Sequence, residues 1–268
     1  MNIRLLGTGG ADGVPALYSD SRVSQYAREH GGKDIRSRTA AIVDGTLKID
    51  LGPDTWAQMA RERLDARDWS AIIFTHSDAD HFSPDELMYA LYPFNDFEFV
   101  GFIVYANELI CRRILDKFPE WPFEMKMTRS FDPFTHGEYK ITPIKAHHNP
   151  HEDAQNLIIQ DDERTLLYGT DTGIWDDPTW EFLQDYKLDC LVLECSEGFN
   201  PTPYDGHIDA NEFVEVLERL RKMGTVHDDT QVITTHHSHQ GGGTYAELQD
   251  FFAPHGVTVG YDGMLVDF

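Results

Sequence analysis

Thr75-His76-Ser77-Asp78-Ala79-Asp80-His81 follows directly on the apolar run Ala71-Ile72-Ile73-Phe74. The run is short, rich in β-branched residues and free of charge, so it predicts a buried strand. Beyond it, His76, Asp78, Asp80 and His81 fall within six consecutive positions. Small Ser77 and Ala79 between them let a tight loop turn all four heads inward. Imidazole nitrogen and carboxylate oxygen are ligands for borderline and hard divalent cations, so the stretch reads as the anchor of a metal centre. A solvated loop with chance carboxylates is the competing account in so acidic a chain; the His-x-Asp-x-Asp-His spacing at a strand end weighs against it. Next, Ser83-Pro84-Asp85-Glu86 has the form of a capping-box helix start, with serine at the cap and proline at the first helical position.

Working outward, other strand-like runs end in the same chemistry. Residues 139–144 lead to Lys145-Ala146-His147-His148-Asn149-Pro150, 165–168 to Gly169-Thr170-Asp171-Thr172-Gly173, and 231–235 to His236-His237-Ser238-His239. Each histidine alone is a weak signal, but one rim of a folded sheet could collect them all. Further apolar β-type runs stand at 3–6, 39–43, 47–49, 99–105, 156–159, 190–193, 257–260 and 264–266. Helical patterns alternate with some of them. Asp209 is placed to cap a helix over 210–223, where Phe213, Val216, Leu217 and Leu220 recur at helical spacing and Gly224 ends the run. Residues 245–252 predict another amphipathic helix. No repeat or low-complexity linker divides the chain, so a single α/β domain over 1–268 is expected.

The 46 acidic residues against 22 basic ones leave a formal charge of −24. Folded nucleic acids need a cationic footprint, so long nucleic-acid partners are disfavoured. A generally acidic, salt-adapted proteome explains the same balance without reference to a substrate. A small anionic substrate remains open, because bound metal ions reverse the local sign. No apolar run is long enough to span a bilayer, and the start shows no signal-peptide pattern, so a cytoplasmic location without membrane partners is expected. Cys111, Cys190 and Cys195 form no CxxC pair and are read as buried reduced thiols. Gly7-Thr8-Gly9-Gly10 could mark a dinucleotide turn, but Val14-Pro15 stands where the helix should begin. The glycines are read instead as letting a loop pass close to the site, and no organic cofactor is expected.

These motifs together resemble the metallo-β-lactamase superfamily, and within it the PhnP-like cyclic phosphodiesterases associated with phosphonate breakdown. The likeness runs nearly end to end: Gly7 to Ala16, the Ile49-Asp50 strand end, Thr75 to His81, Thr142-Pro143 through His148, Asp171-Thr172, Thr235 to Gln240, and Gly260 to Met264. It implies an αββα sandwich of two mixed β-sheets flanked by helices. It also implies two divalent metal ions, one held by His76, Asp78, His148 and Asp171, the other by Asp80, His81, His236 and the shared Asp171. Asp50 would orient ligands, and the choice of His148 over His147 and of His236 over His237 rests on the same resemblance. His207, in Asp205-Gly206-His207-Ile208, matches the family element that assists the leaving oxygen; Glu194 could orient its imidazole.

Two departures stand out. The usual pattern has histidine where this chain has Asp78, and the added carboxylate shifts preference from zinc toward manganese or iron, with zinc still admissible. The PhnP-like proteins also carry a cysteine-rich structural zinc site after Val-Pro-Ala. Here Ser19, Ser21 and Ser24 stand in that segment, and neutral hydroxyls are poor zinc ligands. His239 matches that site's last ligand and is expected to be an orphan of no special role.

The expected activity is hydrolysis of a small, cyclic or linear phosphodiester by a metal-bridging hydroxide. The alternatives are a carboxyl-ester, lactone or lactam hydrolase of the same fold, an RNA-processing nuclease, a di-iron redox protein and a metal-dependent sensor. Beyond a small-molecule phosphodiester, homodimerisation stays open.

Overall fold

The computed structural model describes residues 1–95 and 101–268. One seven-stranded sheet has the order β14 (Leu265–Asp267), β1 (Asn2–Gly7), β2 (Ala40–Val43), β3 (Leu47–Ile49), β4 (Ala71–Ile73), β5 (Ile103–Ala106) and β6 (Met125–Met127). The other, also of seven strands, has the order β13 (Val257–Val259), β12 (Val226–Thr235), β11 (Leu188–Glu194), β10 (Thr165–Gly169), β9 (Gln155–Gln160), β8 (Tyr139–Lys145) and β7 (Phe134–His136). Each sheet is antiparallel toward one edge and parallel toward the other. These are the two mixed sheets expected.

Parallel neighbours need crossover connections, and helices supply them. α2 (Thr55–Glu62) links β3 to β4, while α3 (Pro84–Leu87) and α4 (Glu108–Lys117) follow β4 and β5. In the second sheet α5 (Asp177–Leu183), α6 (Ala210–Met223) and α7 (Tyr245–Phe252) link β10 through β13. α1 (Arg22–His30) lies in the long β1–β2 connection.

Both faces of each sheet are covered, which explains why the central strands are buried at every position rather than at alternate ones. In β4, Ala71 and Ile73 face the opposing sheet, where they join Ile3, Leu47, Ile141, Leu157 and Tyr168. Ile72 and Phe74 point the other way, into the layer with Met59, Leu87 and Ile110 from the helices. The second sheet packs its outer face against Trp180, Phe213, Leu217 and Phe252 of α5, α6 and α7. Among the described residues no helix is long and apolar enough to cross a membrane.

Two local expectations need correction. Ser83 precedes a helix of four residues, and its side chain makes no capping hydrogen bond. The helix gives way to a single turn over Met88–Ala90, and Pro93 lies just ahead, disfavouring helical backbone before it. Glu86 turns instead to the wall of an apolar cavity, where burial raises its carboxyl pKa. The strand expected over 99–105 is described from Ile103, and residues 99 and 100 lie outside the described residues. β6 and β7 were not anticipated.

Candidate metal centre

The loops bearing the expected ligands leave one rim of the sandwich. His76, Asp78, Asp80 and His81 follow β4 in one sheet; His148, Asp171 and His236 follow β8, β10 and β12 in the other. Asp171, His236 and Asp50 take left-handed backbone, with φ of 49°, 55° and 58°. For residues with a Cβ that conformation costs about 1–2 kcal/mol each. The cost falls where strands stop and head groups enter the rim.

The hydrogen bonds settle which nitrogen each imidazole presents. His81 Nδ1 lies 2.7 Å from Asp50 Oδ2, so its proton sits there. Thr75 Oγ1 donates to Asp50 and so accepts from His76 Nδ1 at 3.0 Å. Ser196 Oγ donates to Glu194 at 2.5 Å and accepts from His236 Nδ1 at 2.7 Å. His148 Nδ1 donates to the carbonyl of Gly206 at 3.1 Å. With Nδ1 engaged in this way in all four histidines, Nε2 is the atom each leaves to ligate a metal.

Those lone pairs converge on Asp171. Its Oδ2 stands 2.9 Å from His81 Nε2 and 3.2 Å from His236 Nε2; its Oδ1 stands 3.9 Å from His76 Nε2 and 3.8 Å from His148 Nε2. Asp80 Oδ2 completes the first pair, 3.2 Å from His81 and 3.5 Å from His236. Tetrahedral ligands at the usual metal distances of about 2.0–2.2 Å stand roughly 3.4 Å apart. The Nε2 atoms of His76, His81 and His236 and the Oδ2 of Asp80 are buried without hydrogen-bond partners. Orphaned buried polar atoms are costly, and a cation satisfies all of them at once. The residues therefore fit metal ions in two groups that share Asp171, Asp80-His81-Asp171-His236 and His76-His148-Asp171; a third grouping, Glu194-His207-His236, adjoins them.

Asp78 is looser. Its Oδ2 reaches His148 Nε2 at 3.1 Å and His76 Nε2 at 3.7 Å, yet it lies outside the tight group and its side chain is 43% exposed. His147 and His237 stand apart from the cluster: His147 contacts Asp176 and Asp205, and His237 Nε2 is bonded to Thr234.

Electrostatically the rim awaits cations. Burial opposes ionisation of Asp171, but the imidazoles of His236, His81 and His76 hold its pKa well below the usual carboxylate range. Burial likewise opposes charge on His81, yet Asp171, Asp80 and Asp50 raise its pKa well above an ordinary imidazole.

His207 stands beside this group, its ring 5.1 Å from that of His148 and 5.4 Å from that of His236. Its Nδ1 is bonded to Glu194 Oε1 at 2.8 Å. Burial disfavours its charge, but the carboxylate of Glu194 overrides burial and pushes the pKa up to about 9. Glu194 is fully buried and also accepts from the N–H of Thr172 and the N–H and hydroxyl of Ser196. Through Ser196 it reaches His236, so one carboxylate orients both His207 and a rim histidine. A larger apolar cavity of about 780 Å³, lined by Trp56, Met59, Trp69 and Phe94, contains none of these residues.

His239 is held by hydrogen bonds, with no thiolate beside it among the described residues. It is buried, and its Nδ1 lies 2.9 Å from Ser21 Oγ and 3.2 Å from Ser19 Oγ, while its Nε2 meets Asp12 at 2.6 Å. A carboxylate and two hydroxyls satisfy the ring where thiolates and zinc would. Ser24 is engaged elsewhere, accepting from the N–H of Ala16. A chelator is expected to strip the rim without loosening residues 12–24, as measured by amide exchange; an anomalous peak at Ser19, Ser21, Ser24 and His239 would sink that expectation. Of the glycines in the opening motif, Gly10 does lie beside His236, whereas Gly7 and Gly9 press on the 36–38 segment.

Other supporting residues were not foreseen. Glu152 accepts from the N–H and hydroxyl of Ser77 and from Asn107 and Asn149, pinning the loop that carries His76 to His81. Lys48, fully buried, donates to the carbonyls of Ile49 and Asp50 and so secures the left-handed end of β3.

No curated protein sequence matches the chain significantly. The sequence model of the beta-lactamase superfamily domain matches residues 46–237, a span that includes every rim ligand. The chain belongs to the beta-lactamase superfamily, and its sandwich is the metallo-β-lactamase fold of metal-dependent hydrolases. Several solved structures share it. A diphosphatase of the PhnP family superposes with a TM-score of 0.77 at 24% identity, over 100% of this chain and 96% of that one. Zinc-bound PqqB from Methylobacterium extorquens gives 0.76 at 16% identity, covering 100% of both chains. The short form of human tRNase Z gives 0.66 at 17% identity, over 100% of this chain and 99% of that one. At these identities the likeness concerns the fold.

Proposed function

We propose that the protein is a dinuclear metal-dependent phosphodiesterase acting on a small diester. The observation that carries this is the convergence of four Nε2 lone pairs on the two oxygens of Asp171, each oxygen facing a different histidine pair. His76, His148 and Asp171, with Asp78 at the edge, would hold one ion; Asp80, His81, His236 and Asp171 would hold the other. Bound there, two divalent ions supply an activated water and neutralise charge building on a phosphoryl group.

The chain's own groups do the rest. Asp50 and Thr75 fix the rings of His81 and His76, and Ser196 that of His236. Outer contacts of this kind orient ligands and raise their basicity. His207 stays protonated at neutral pH because Glu194 stabilises its charge, so Nε2 can hand a proton to the departing oxygen. A phosphodiester with an alkoxide leaving group needs that proton. The net charge of −24 favours a small substrate over a long nucleic acid.

Turnover with manganese, iron and zinc, on cyclic and linear phosphodiesters beside lactones and β-lactams, tests the function. Phosphodiesters are expected to lead with manganese or iron. Faster turnover of lactones or lactams would replace phosphoryl transfer with acyl transfer. Asp78→His is expected to move metal preference toward zinc, since imidazole is the softer ligand. Competition between manganese and zinc in wild type and variant measures it; an unchanged ratio removes Asp78 from the ligand set.

A further inference from the structure

Next to His207, the loop over 197–207 walls a pocket of about 210 Å³. His207, His147, Tyr204, Glu197, Asp205 and Glu212 are in its lining. His207 thus belongs to the pocket and to the rim at once. A phosphoryl group held at the rim with its leaving oxygen toward His207 places the leaving alcohol here.

The wall is firmly seated. Glu197 accepts from both the N–H and the hydroxyl of Thr202. The ring of Tyr204 lies across Gly206, where a Cβ would come within 2.4 Å of the phenol. The carbonyl of Asp205 presses on Gly173, where a Cβ would stand 1.8 Å from it. Bare Gly173 lets the loop rest directly on the strand-end segment that carries Asp171, bare Gly206 lets the loop fold on itself, and Tyr204 packs edge-on against His207 with ring centroids 5.4 Å apart.

Volume and charge then restrict the occupant. The pocket is smaller than the roughly 300–1,000 Å³ of a cleft that takes a whole drug-sized ligand, so it suits one substituent. Glu197, Asp205 and Glu212 line it, and Asp176 stands 3.2 Å from His147. The positive charge of His207 is matched by Glu194. An anionic substituent would meet like charge there, whereas amine and hydroxyl donors would find acceptors.

We propose that this pocket is the leaving-group subsite and selects amino alcohols and polyols over anionic alcohols. The proposal rests on the phosphodiesterase function above. In the reaction, water oxygen bonds to phosphorus and the bond from phosphorus to the alcohol oxygen breaks. His207 gives that oxygen its proton, and the proton lost by water recharges the imidazole through solvent.

Methyl phosphate diesters of ethanolamine, glycerol, propanol and isethionate, the last bearing a sulfonate that is a poor metal ligand, form the test. With metal-loaded enzyme, kcat/KM for the ethanolamine and glycerol esters is expected to exceed that for the propyl ester by about tenfold, with isethionate lowest. The double variant Glu197→Gln, Asp205→Asn is expected to narrow the ethanolamine-to-isethionate ratio by about tenfold, each ratio being taken within one protein so that any change in overall turnover cancels. An unchanged ratio, or a wild-type preference for isethionate, overturns the proposal. Binding of free ethanolamine against propanol, followed by ligand-observed NMR on the same two metal-loaded proteins, needs no turnover. If no diester is hydrolysed but ethanolamine is preferred and the variant loses that preference, the subsite stands and the phosphodiesterase function falls. No preference for ethanolamine overturns the subsite.

Discussion

Asp171→Ala is expected to lose both metal ions, not one. Its Oδ2 faces the pair His81 and His236 and its Oδ1 the pair His76 and His148, so removing it takes a ligand from each group. Loss of an outer-contact residue typically lowers metal affinity by about 10–100-fold, and a shared direct ligand should cost more at both positions. Metal content after dialysis, read by elemental analysis against wild type, checks this; full dinuclear occupancy would mean Asp171 is not shared. His147→Ala and His237→Ala serve as comparators and should retain both ions, since neither ring enters the cluster. The pH dependence has a definite sign. The carboxylates raise the pKa of His81, so protons compete for the same lone pair. Metal affinity should weaken as pH falls and strengthen as it rises.

His207→Ala is expected to keep both ions and the fold but to lower kcat on an alkyl diester by roughly 10²–10⁴-fold, the usual worth of a positioned acid. A diester with an activated aryl leaving group needs little protonation and should lose far less. A metal-ligand or purely structural role would harm both substrates alike. Equal losses, or loss of metal, would remove His207 from proton donation; no loss on either would leave it a bystander. An acid must be protonated to act, so its contribution should disappear as pH rises through its pKa, pushed up to about 9 by Glu194. In Glu194→Gln that alkaline limb should move to lower pH.

The parts of this fold legible in the sequence are those with strong stripes and complete caps. α6 buries Phe213, Val216, Leu217 and Leu220 behind the capping box of Asp209 and Glu212, and Gly224 takes left-handed backbone at its end. α2 was missed because it buries Thr55 and Gln58 beside Met59, which leaves no apolar stripe to read. β6 and β7 are three-residue edge strands with mostly exposed or half-buried side chains, so alternation has no length in which to appear. α4 did carry a readable signal, Asn107 as cap with Ile110 and Ile114 four apart.

The site divides along the same line. Rim histidines and aspartates follow apolar strands, so position and chemistry coincide in one stretch of chain. Their supports do not: Nδ1 partners are a threonine, a serine, a carboxylate and a backbone carbonyl, drawn from positions up to 58 residues away. Any oxygen would satisfy an imidazole proton, so residue type gives no clue to which one does. His239 is a further case, since two serine hydroxyls and Asp12, all distant from it in the chain, hold its ring.

The division of the rim between two sheets has a mechanical consequence. Four rim residues hang from the β4 end of one sheet and three from the β8, β10 and β12 ends of the other, with little but Asp171 facing both groups. Ions seated there would act as rivets across the seam of the sandwich, closing the long loops from His76 to His148 and from His81 to His236 in the way a cross-link does. Emptied, the same edge keeps only hydrogen bonds and ion pairs across the seam, among them Ser77 to Glu152 and His81 to Asp171. Metal bound there would add to the closure of the two sheets at that edge, as any ligand that binds only the folded state does.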